Sequence, residues 1–101
     1  MKVIKINNQK CEVIFGNYMN GATAINLICL DGEDEGEPYA TATINIPRIK
    51  LEKNEIIIKN YSENEGILDA LVEANIVEDT GGKINVGYAY ANICKLKTKE
   101  V

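Results

Sequence analysis

Residues 62–75 read SENEGILDALVEAN, and this stretch predicts a helix that has a start, an apolar face and an end. Ser62 followed three residues later by Glu65 has the spacing of a capping box, in which two free amides at a helix start are satisfied. Apolar residues recur at helical spacing, namely Ile67, Leu68, Leu71, Val72 and Ala74. The pattern predicts one helix over about residues 63–75, and Asn75 suits its left-handed end.

This helix needs a surface to pack on. Gly66 in its first turns costs about 1 kcal/mol relative to alanine, which cancels the gain of about 1 kcal/mol from a Ser62 cap. An isolated helix of this length is also marginally stable in water. We therefore expect its apolar face, residues 67, 68, 71 and 72, to be buried against a β-sheet.

The composition is that of one globular domain spanning residues 1–101. The chain is 46% hydrophobic and 26% charged, and its net charge is −4 with a pI of about 4.8. Direct nucleic-acid binding is not expected, because such proteins carry a basic patch. A cationic cluster occurs near the end, at Lys95, Lys97 and Lys99, and we interpret it as a solvated terminus.

Residues 1–9 lack the apolar core of a signal peptide, and no segment approaches the roughly 20 apolar residues of a membrane span. A cytoplasmic protein that does not contact a membrane is therefore expected. Cys11, Cys29 and Cys94 are widely spaced among apolar residues, which predicts buried, reduced thiols. The absence of a CxxC pair argues against structural zinc.

Six segments have the alternation or β-branched composition of strands, namely residues 3–6, 11–15, 22–30, 39–46, 56–58 and 84–91. The first two predict a hairpin around Asn7, Asn8 and Gln9. Residues 22–30 are apolar on both faces, which indicates a central strand. Residues 79–82, DTGG, predict a turn.

The order βββββαβ predicts an α+β domain, with a mostly antiparallel sheet of five to six strands and the helix on one face. Gly87, Ala89 and Ala91 form a row of small residues that would let the helix lie over the last strand. One helix cannot cover a sheet whose central strand is apolar on both faces. The second cover is either the N-terminal hairpin folded over the sheet, which we favour, or a second copy of the chain, so monomer and homodimer both remain open.

The residues available for chemistry argue against an enzyme. Histidine is absent and Ser62 is the single serine, which excludes Ser-His and Cys-His catalysis. Residues 31–36 place oxygen ligands and glycine where an EF-hand loop has them, but Ala42 stands where that loop needs a bidentate glutamate. We therefore expect no catalytic residues, no metal site and no cofactor.

The acidic stretch 31–37, DGEDEGE, is the most polarised part of the chain. It is either a solvated hairpin tip that protects a sheet edge or a docking surface for a basic protein partner. The candidate interaction residues are Asp31, Glu33, Asp34, Glu35, Glu37 and Tyr39. A small-ligand module is the alternative function, with a pocket between helix and sheet lined by Ile67, Gly87, Tyr88 and Ala89.

Several segments resemble a small domain-of-unknown-function family carried by bacterial conjugative transposons and phage-like mobile elements. The resemblance lies in NYMNG at 17–21, EPYATATINIP at 37–47, YSENEG at 61–66 and LVEA at 71–74. The family often has Ala-Gly-Ile at the helix end, where this chain has Ala74-Asn75-Ile76. The resemblance implies no catalytic residues. It implies an accessory protein of a mobile element in a bacterial cytoplasm, and the acidic stretch favours a protein that acts through protein–protein interaction.

The helix yields a first prediction, on Leu71 at the centre of its apolar face. Leu71→Ala should lower the free energy of unfolding by roughly 2–5 kcal/mol, because a buried leucine leaves a cavity when it is truncated. Urea denaturation followed by circular dichroism would measure the change. A loss below about 0.5 kcal/mol, the usual size for surface positions, would show that the helix does not pack through this residue.

Overall fold

The computed structural model describes residues 2–97. Seven strands and two short helical segments follow one another along the chain. They are β1 (Lys2–Ile6), β2 (Gln9–Asn17), β3 (Thr23–Cys29), β4 (Pro38–Thr41), β5 (Glu55–Ile58), a 3₁₀ turn (Ser62–Asn64), α1 (Ile67–Glu73), β6 (Val77–Asn85) and β7 (Tyr90–Leu96).

The strands form two antiparallel sheets, so the prediction of one sheet with five to six strands is wrong. The first sheet has the order β1-β2-β3-β4 and the second has the order β5-β7-β6. The two sheets share one apolar core with the helix. Alternating hydrophobicity indicates which face of a strand is buried, but it does not say which strand edges pair, and this is why the split into two sheets was missed.

The N-terminal hairpin forms as predicted, but it does not fold over the sheet. Asn7 and Asn8 have φ values of 51° and 67°, as a tight two-residue hairpin turn requires. β2 then pairs with β3 along seven residues, so the hairpin extends the first sheet sideways. β3 does lie inside that sheet, and Ile25 and Leu27 are fully buried on its core face.

The chain passes from the first sheet to the second at residues 42–44, which we call the β4–β5 junction. The predicted strand 39–46 is paired in the first sheet only as far as Thr41. The Ala42 N–H still donates to Ile25 in β3, whereas Thr43 forms a bridge with Ile58 in β5. The Thr43 hydroxyl accepts from the Ile25 N–H at 3.1 Å and bonds the Tyr18 hydroxyl at 2.9 Å.

The helix is shorter than predicted and begins differently. It covers Ile67–Glu73 rather than 63–75, because left-handed Gly66 (φ 99°) separates it from the 3₁₀ turn. The Ser62 capping box does not form, since Ser62 makes no capping side-chain bond there. Instead, the Asn60 side-chain oxygen accepts from the N–H groups of Gly66 and Leu68, at 3.1 and 2.9 Å.

The helix end was predicted correctly. Asn75 is left-handed with φ 64°, and the N–H groups of Asn75 and Ile76 donate to Val72 and Leu71, the two bonds of a Schellman motif. Leu71 is fully buried, whereas Val72 is 40% exposed, so only part of the expected face packs.

The helix contacts β1 and β6, which are edge strands of different sheets. It therefore closes the side of the core opposite the β4–β5 junction. The outer face of the second sheet is covered separately. Ile57, Ile84 and Ala91 form a second apolar cluster with residues from the 44–51 segment, while Ile56 and Ile58 alternate towards the main core.

The predicted last strand is a hairpin. Residues 86–89 form the turn between β6 and β7, with Gly87 at φ 100° and Val86 donating to Ala89. The predicted turn at 79–82 lies inside β6, where the register shifts between Asp79 and Gly82. Small and large residues alternate across the turn as they would in a strand. For this reason the sequence pattern predicted one continuous strand beneath the helix.

The β4–β5 junction gives a second prediction. Thr43→Val keeps the side-chain shape but removes the acceptor of the buried Ile25 N–H, so it should lower the free energy of unfolding by about 1–3 kcal/mol. Urea denaturation would measure it. Thr41→Val is the matched control, because Thr41 is exposed and its hydroxyl bonds only Asn26 on the surface. An equal loss in both variants would contradict a specific role for Thr43.

Candidate interaction surface

The acidic loop, residues 31–37, connects β3 to β4, and all seven residues are exposed. Its base is closed by backbone hydrogen bonds, from Cys29 N–H to the Glu37 carbonyl and from Gly36 N–H to the Cys29 carbonyl. Glu35 donates to Gly32 within the loop. The loop is therefore a folded turn with a defined position.

Gln9 ties the start of this loop to the N-terminal hairpin. Its side-chain amide donates to the Asp31 carboxylate at 3.0 Å and to the carbonyls of Asp31 and Lys10. Among residues 2–97, the one ion pair within 4.0 Å joins Lys59 and Glu63. The carboxylates of the acidic loop thus have no cationic partner in the described part of the chain.

Tyr39 lies where β4 leaves the acidic loop. The pairing jumps from Leu27–Ala40 to Ile28–Pro38, so Tyr39 is the extra residue of a β-bulge, a feature that re-aims side chains. The Tyr39 ring is half-buried, and its hydroxyl accepts from the Asn7 side chain at 3.3 Å. The first hairpin therefore supports this ring from the side.

An apolar groove, which we call the outer groove, lies on the face of the first sheet turned away from the core. Its volume is about 430 Å³. Ile14 is 38% exposed and Ile28 is half-buried, whereas their chain neighbours Val13 and Leu27 face the core. The groove is lined by Ile14, Asn26, Leu27, Ile28, Pro38, Tyr39, Ala40 and Thr41. Because Pro38 follows Glu37 directly, the groove adjoins the acidic loop.

A second groove, of about 470 Å³, lies between β4 and the 3₁₀ turn, which we call the inner groove. Tyr39 and Tyr61 both line it, and the buried Asn64 amide donates to the Thr41 carbonyl at 2.8 Å. Lys59 lies 5.5 Å from the centre of the Tyr61 ring. Tyr39 therefore belongs to both grooves.

Lys59 and Glu63 are the charged residues that line the inner groove. The two side chains are 2.7 Å apart. The hydrogen bond to Glu63 raises the pKa of Lys59, and the same bond lowers the pKa of Glu63. Glu63 therefore stays ionised at pH values below the usual carboxyl range. The pair stabilises the fold above the ordinary carboxyl pKa, and this stabilisation is lost as the pH falls through the lowered pKa of Glu63. Solvent screening keeps this contribution small.

The predicted ligand pocket between helix and sheet is not formed by its four residues. Ile67 is fully buried in the main core, whereas Gly87, Tyr88 and Ala89 lie in the β6–β7 turn. Tyr88 is 82% exposed and packs edge-on against Tyr61, with ring centres 5.8 Å apart.

The cysteines and the described lysines of the cationic cluster line neither groove. Residues 2–97 contain no group of three or more histidine, cysteine, aspartate or glutamate side chains able to hold a metal ion. Cys11, Cys29 and Cys94 are free and buried. In the cationic cluster, the Lys97 ammonium donates to Asn75 at 2.9 Å, while Lys99 lies outside the described residues.

Sequence reasoning located the acidic loop and Tyr39 but missed the outer groove. Ile14 and Ile28 each look like ordinary strand residues, and only the pairing of β2 with β3 and of β3 with β4 brings them together. The sequence does contain one signal for this groove, since β2 and β3 both carry apolar residues at positions facing away from the core.

No helix within residues 2–97 is long and apolar enough to cross a membrane. Comparison of the chain with protein-family models, with curated proteins and with solved structures found no match. The resemblance to a mobile-element family therefore stays a prediction.

The contacts of Gln9 give a third prediction. Gln9→Ala should speed amide hydrogen exchange in the acidic loop by a factor of up to about 10, because each lost hydrogen bond contributes roughly 1 kcal/mol. Exchange measured by mass spectrometry on peptides covering residues 30–38 would test it. Asn17→Ala, which removes a comparable bond to Gly21 in another loop, should leave the exchange of residues 30–38 unchanged. Unaltered exchange in the Gln9 variant would show that this side chain does not hold the loop.

Proposed function

We propose that this chain is a non-enzymatic protein-interaction module, whose acidic loop and outer groove together bind a basic segment of another protein that carries an apolar anchor. One observation supports this above the others. The carboxylates of residues 31–37, which have no cationic partner among the described residues, run directly into the exposed apolar groove at Pro38 and Tyr39.

The two parts of this surface contribute differently to binding. Exposed carboxylates accelerate encounter with a basic partner and discriminate against acidic ones, with a modest gain in affinity. Apolar and aromatic side chains that become buried supply most of the affinity in protein interfaces. Tyr39 suits a groove that receives the partner's apolar anchor, because its ring is already oriented by the bond from Asn7 and loses little freedom on binding.

The nucleophiles of the described chain support a binding role rather than a catalytic one. Burial, with a smaller contribution from the neighbouring Cys29, raises the pKa of Cys11 to about 11. Burial raises the pKa of Cys94 to about 12, with Asp79 adding to it. Thiolates are the reactive form of cysteine, so both thiols are poor nucleophiles near neutral pH as long as they stay buried.

The resemblance to mobile-element proteins extends the proposal. We propose that the chain is an accessory protein of a bacterial mobile element, acting in the cytoplasm, and that the basic partner is encoded by the host or by the element itself. An acidic surface of this kind suits a partner whose cationic segment otherwise contacts phosphates, because carboxylates can occupy the same positions.

A small-ligand binding module is the second candidate, and one observation favours it. The inner groove combines two tyrosine rings with Lys59, Glu63 and Thr43, which is the mixture of apolar walls and few polar groups found in ligand sites. A small molecule that raises the melting temperature, with the effect lost in Tyr61→Ala, would support this candidate.

The fourth prediction tests the acidic loop by charge reversal. A variant with Glu33, Asp34 and Glu35 changed to lysine should lose at least tenfold in affinity for a salt-sensitive partner recovered from bacterial lysate. Reversed charges would repel the cationic segment. Isothermal titration with the purified partner, at low and high salt, would measure the change.

The matched control changes Glu65, Glu73 and Glu78 to lysine, since these exposed residues lie outside the proposed surface and the net charge changes equally. It should retain binding. A third variant, Ile14→Asn, should weaken binding with little change in its salt dependence. Equal loss in the two charge-reversed variants, or full binding by the loop variant, would contradict the proposal.

A further inference from the structure

Two of the three cysteines face each other across neighbouring strands. Cys11 in β2 and Cys29 in β3 are direct partners in the strand register. Both are almost completely buried, at 0% and 4% exposed, and both are free thiols. The proposed function uses neither thiol, and no sequence spacing suggested that they would meet.

The hydrogen bonds of the adjacent residues define the geometry of this pair. The Leu30 N–H donates to the Lys10 carbonyl at 2.8 Å, so residues 10 and 30 form a hydrogen-bonded pair. Hydrogen-bonded and non-hydrogen-bonded pairs alternate along an antiparallel ladder. Cys11 and Cys29 therefore form a non-hydrogen-bonded pair, in which Cα atoms lie about 4.5 Å apart and side chains are closest. That separation falls within the range that disulfides occupy.

Cys94 offers an internal comparison. It is also buried in a strand, but its register partners are Ile56 and Asp79. No second thiol faces it across either ladder.

We infer that Cys11 and Cys29 form a reversible cross-strand disulfide when a low-molecular-weight disulfide, such as oxidised glutathione, is supplied. The Cys29 thiol, which is the more exposed, loses its proton and attacks one sulfur of the oxidant, releasing one glutathione thiolate. Cys11 then loses its proton and attacks the Cys29 sulfur, which forms the protein disulfide and releases the second glutathione. The protein pair is oxidised by two electrons, the glutathione disulfide is reduced to two thiols, and the two protons pass to the released thiolates.

Burial makes the folded protein slow to react, because a bulky disulfide must reach Cys29 for exchange to begin. Cys29 is the last residue of β3 and borders the acidic loop. Exchange therefore proceeds when this end of the strand opens, and the product is then enclosed when the strand pairs again.

The bond has two structural consequences. It closes a loop between residues 11 and 29, which restricts the unfolded chain and stabilises the fold. It also fixes Cys29, whose N–H donates to Glu37 and whose carbonyl accepts from Gly36. The base of the acidic loop thereby becomes covalently tied to β2. The inference does not depend on the proposed binding function.

The fifth prediction is tested by incubating the full chain with oxidised glutathione, then blocking free thiols with N-ethylmaleimide in denaturant. Cleavage after Glu12 separates Cys11 from Cys29 in sequence, so mass spectrometry of the unreduced digest identifies a link between them. We expect Cys11–Cys29 to be the main disulfide, Cys94 to remain blocked by maleimide, and the melting temperature to rise by about 10 °C. Dithiothreitol should reverse both changes.

Cys94→Ser is the control that keeps the pair, and it should show the same link and the same rise in melting temperature. Cys11→Ser should yield only the glutathione adduct of Cys29, without that rise. Three outcomes would overturn the inference. They are stable glutathione adducts in place of the link, links to Cys94 at similar frequency, and a linked protein that melts at a lower temperature than the reduced one.

Discussion

The backbone of residues 42–44 bonds to strands of both sheets, and the core depends on this arrangement. Ala42 donates to Ile25 in β3, and its carbonyl accepts from Lys59 beyond the end of β5. Because the chain turns away from the first sheet after Ala42, the Ile25 N–H lacks the acceptor that a continuing strand would supply. The Thr43 hydroxyl accepts from this amide, so the change of sheet costs no buried hydrogen bond. The two sheets are thereby held close enough to share their apolar faces.

The proposed surface is a consequence of that change of sheet. Because the chain must leave β3 at residue 42, β4 is short, and its pairing is interrupted by the bulge at Tyr39. Tyr39, the extra residue of the bulge, packs against the main core and lines both grooves, and the acidic loop leads into the strand at Pro38, beside the outer groove. Charge and apolar surface meet there because Pro38 and Tyr39 follow the acidic loop directly, while strand pairing adds Ile14 and Ile28 to the same groove.

The sequence predicted local features better than long-range ones. The left-handed positions of Asn7 and Asn75 follow from residue type and from neighbours a few residues away. The helix start was wrong because Asn60 and left-handed Gly66 perform the capping that the Ser62–Glu65 spacing suggested. The acidic loop was apparent as a run of charge. The outer groove and the cysteine pair were not predictable, since each depends on a register between strands that no local pattern determines.

The side of the core closed by the helix differs from the β4–β5 junction in the kind of bond that holds it. At residues 42–44 the sheets are joined by backbone hydrogen bonds, whereas α1 meets β1 and β6 through the packing of a few apolar side chains. The helix is seven residues long, too short to persist once detached. Partial unfolding should therefore begin at the helix, and β1 and β6 would then lose the element that connects the two sheets on this side. An edge strand can pair with another chain, so the docking of one short helix bears on self-association of the protein as well as on its folding.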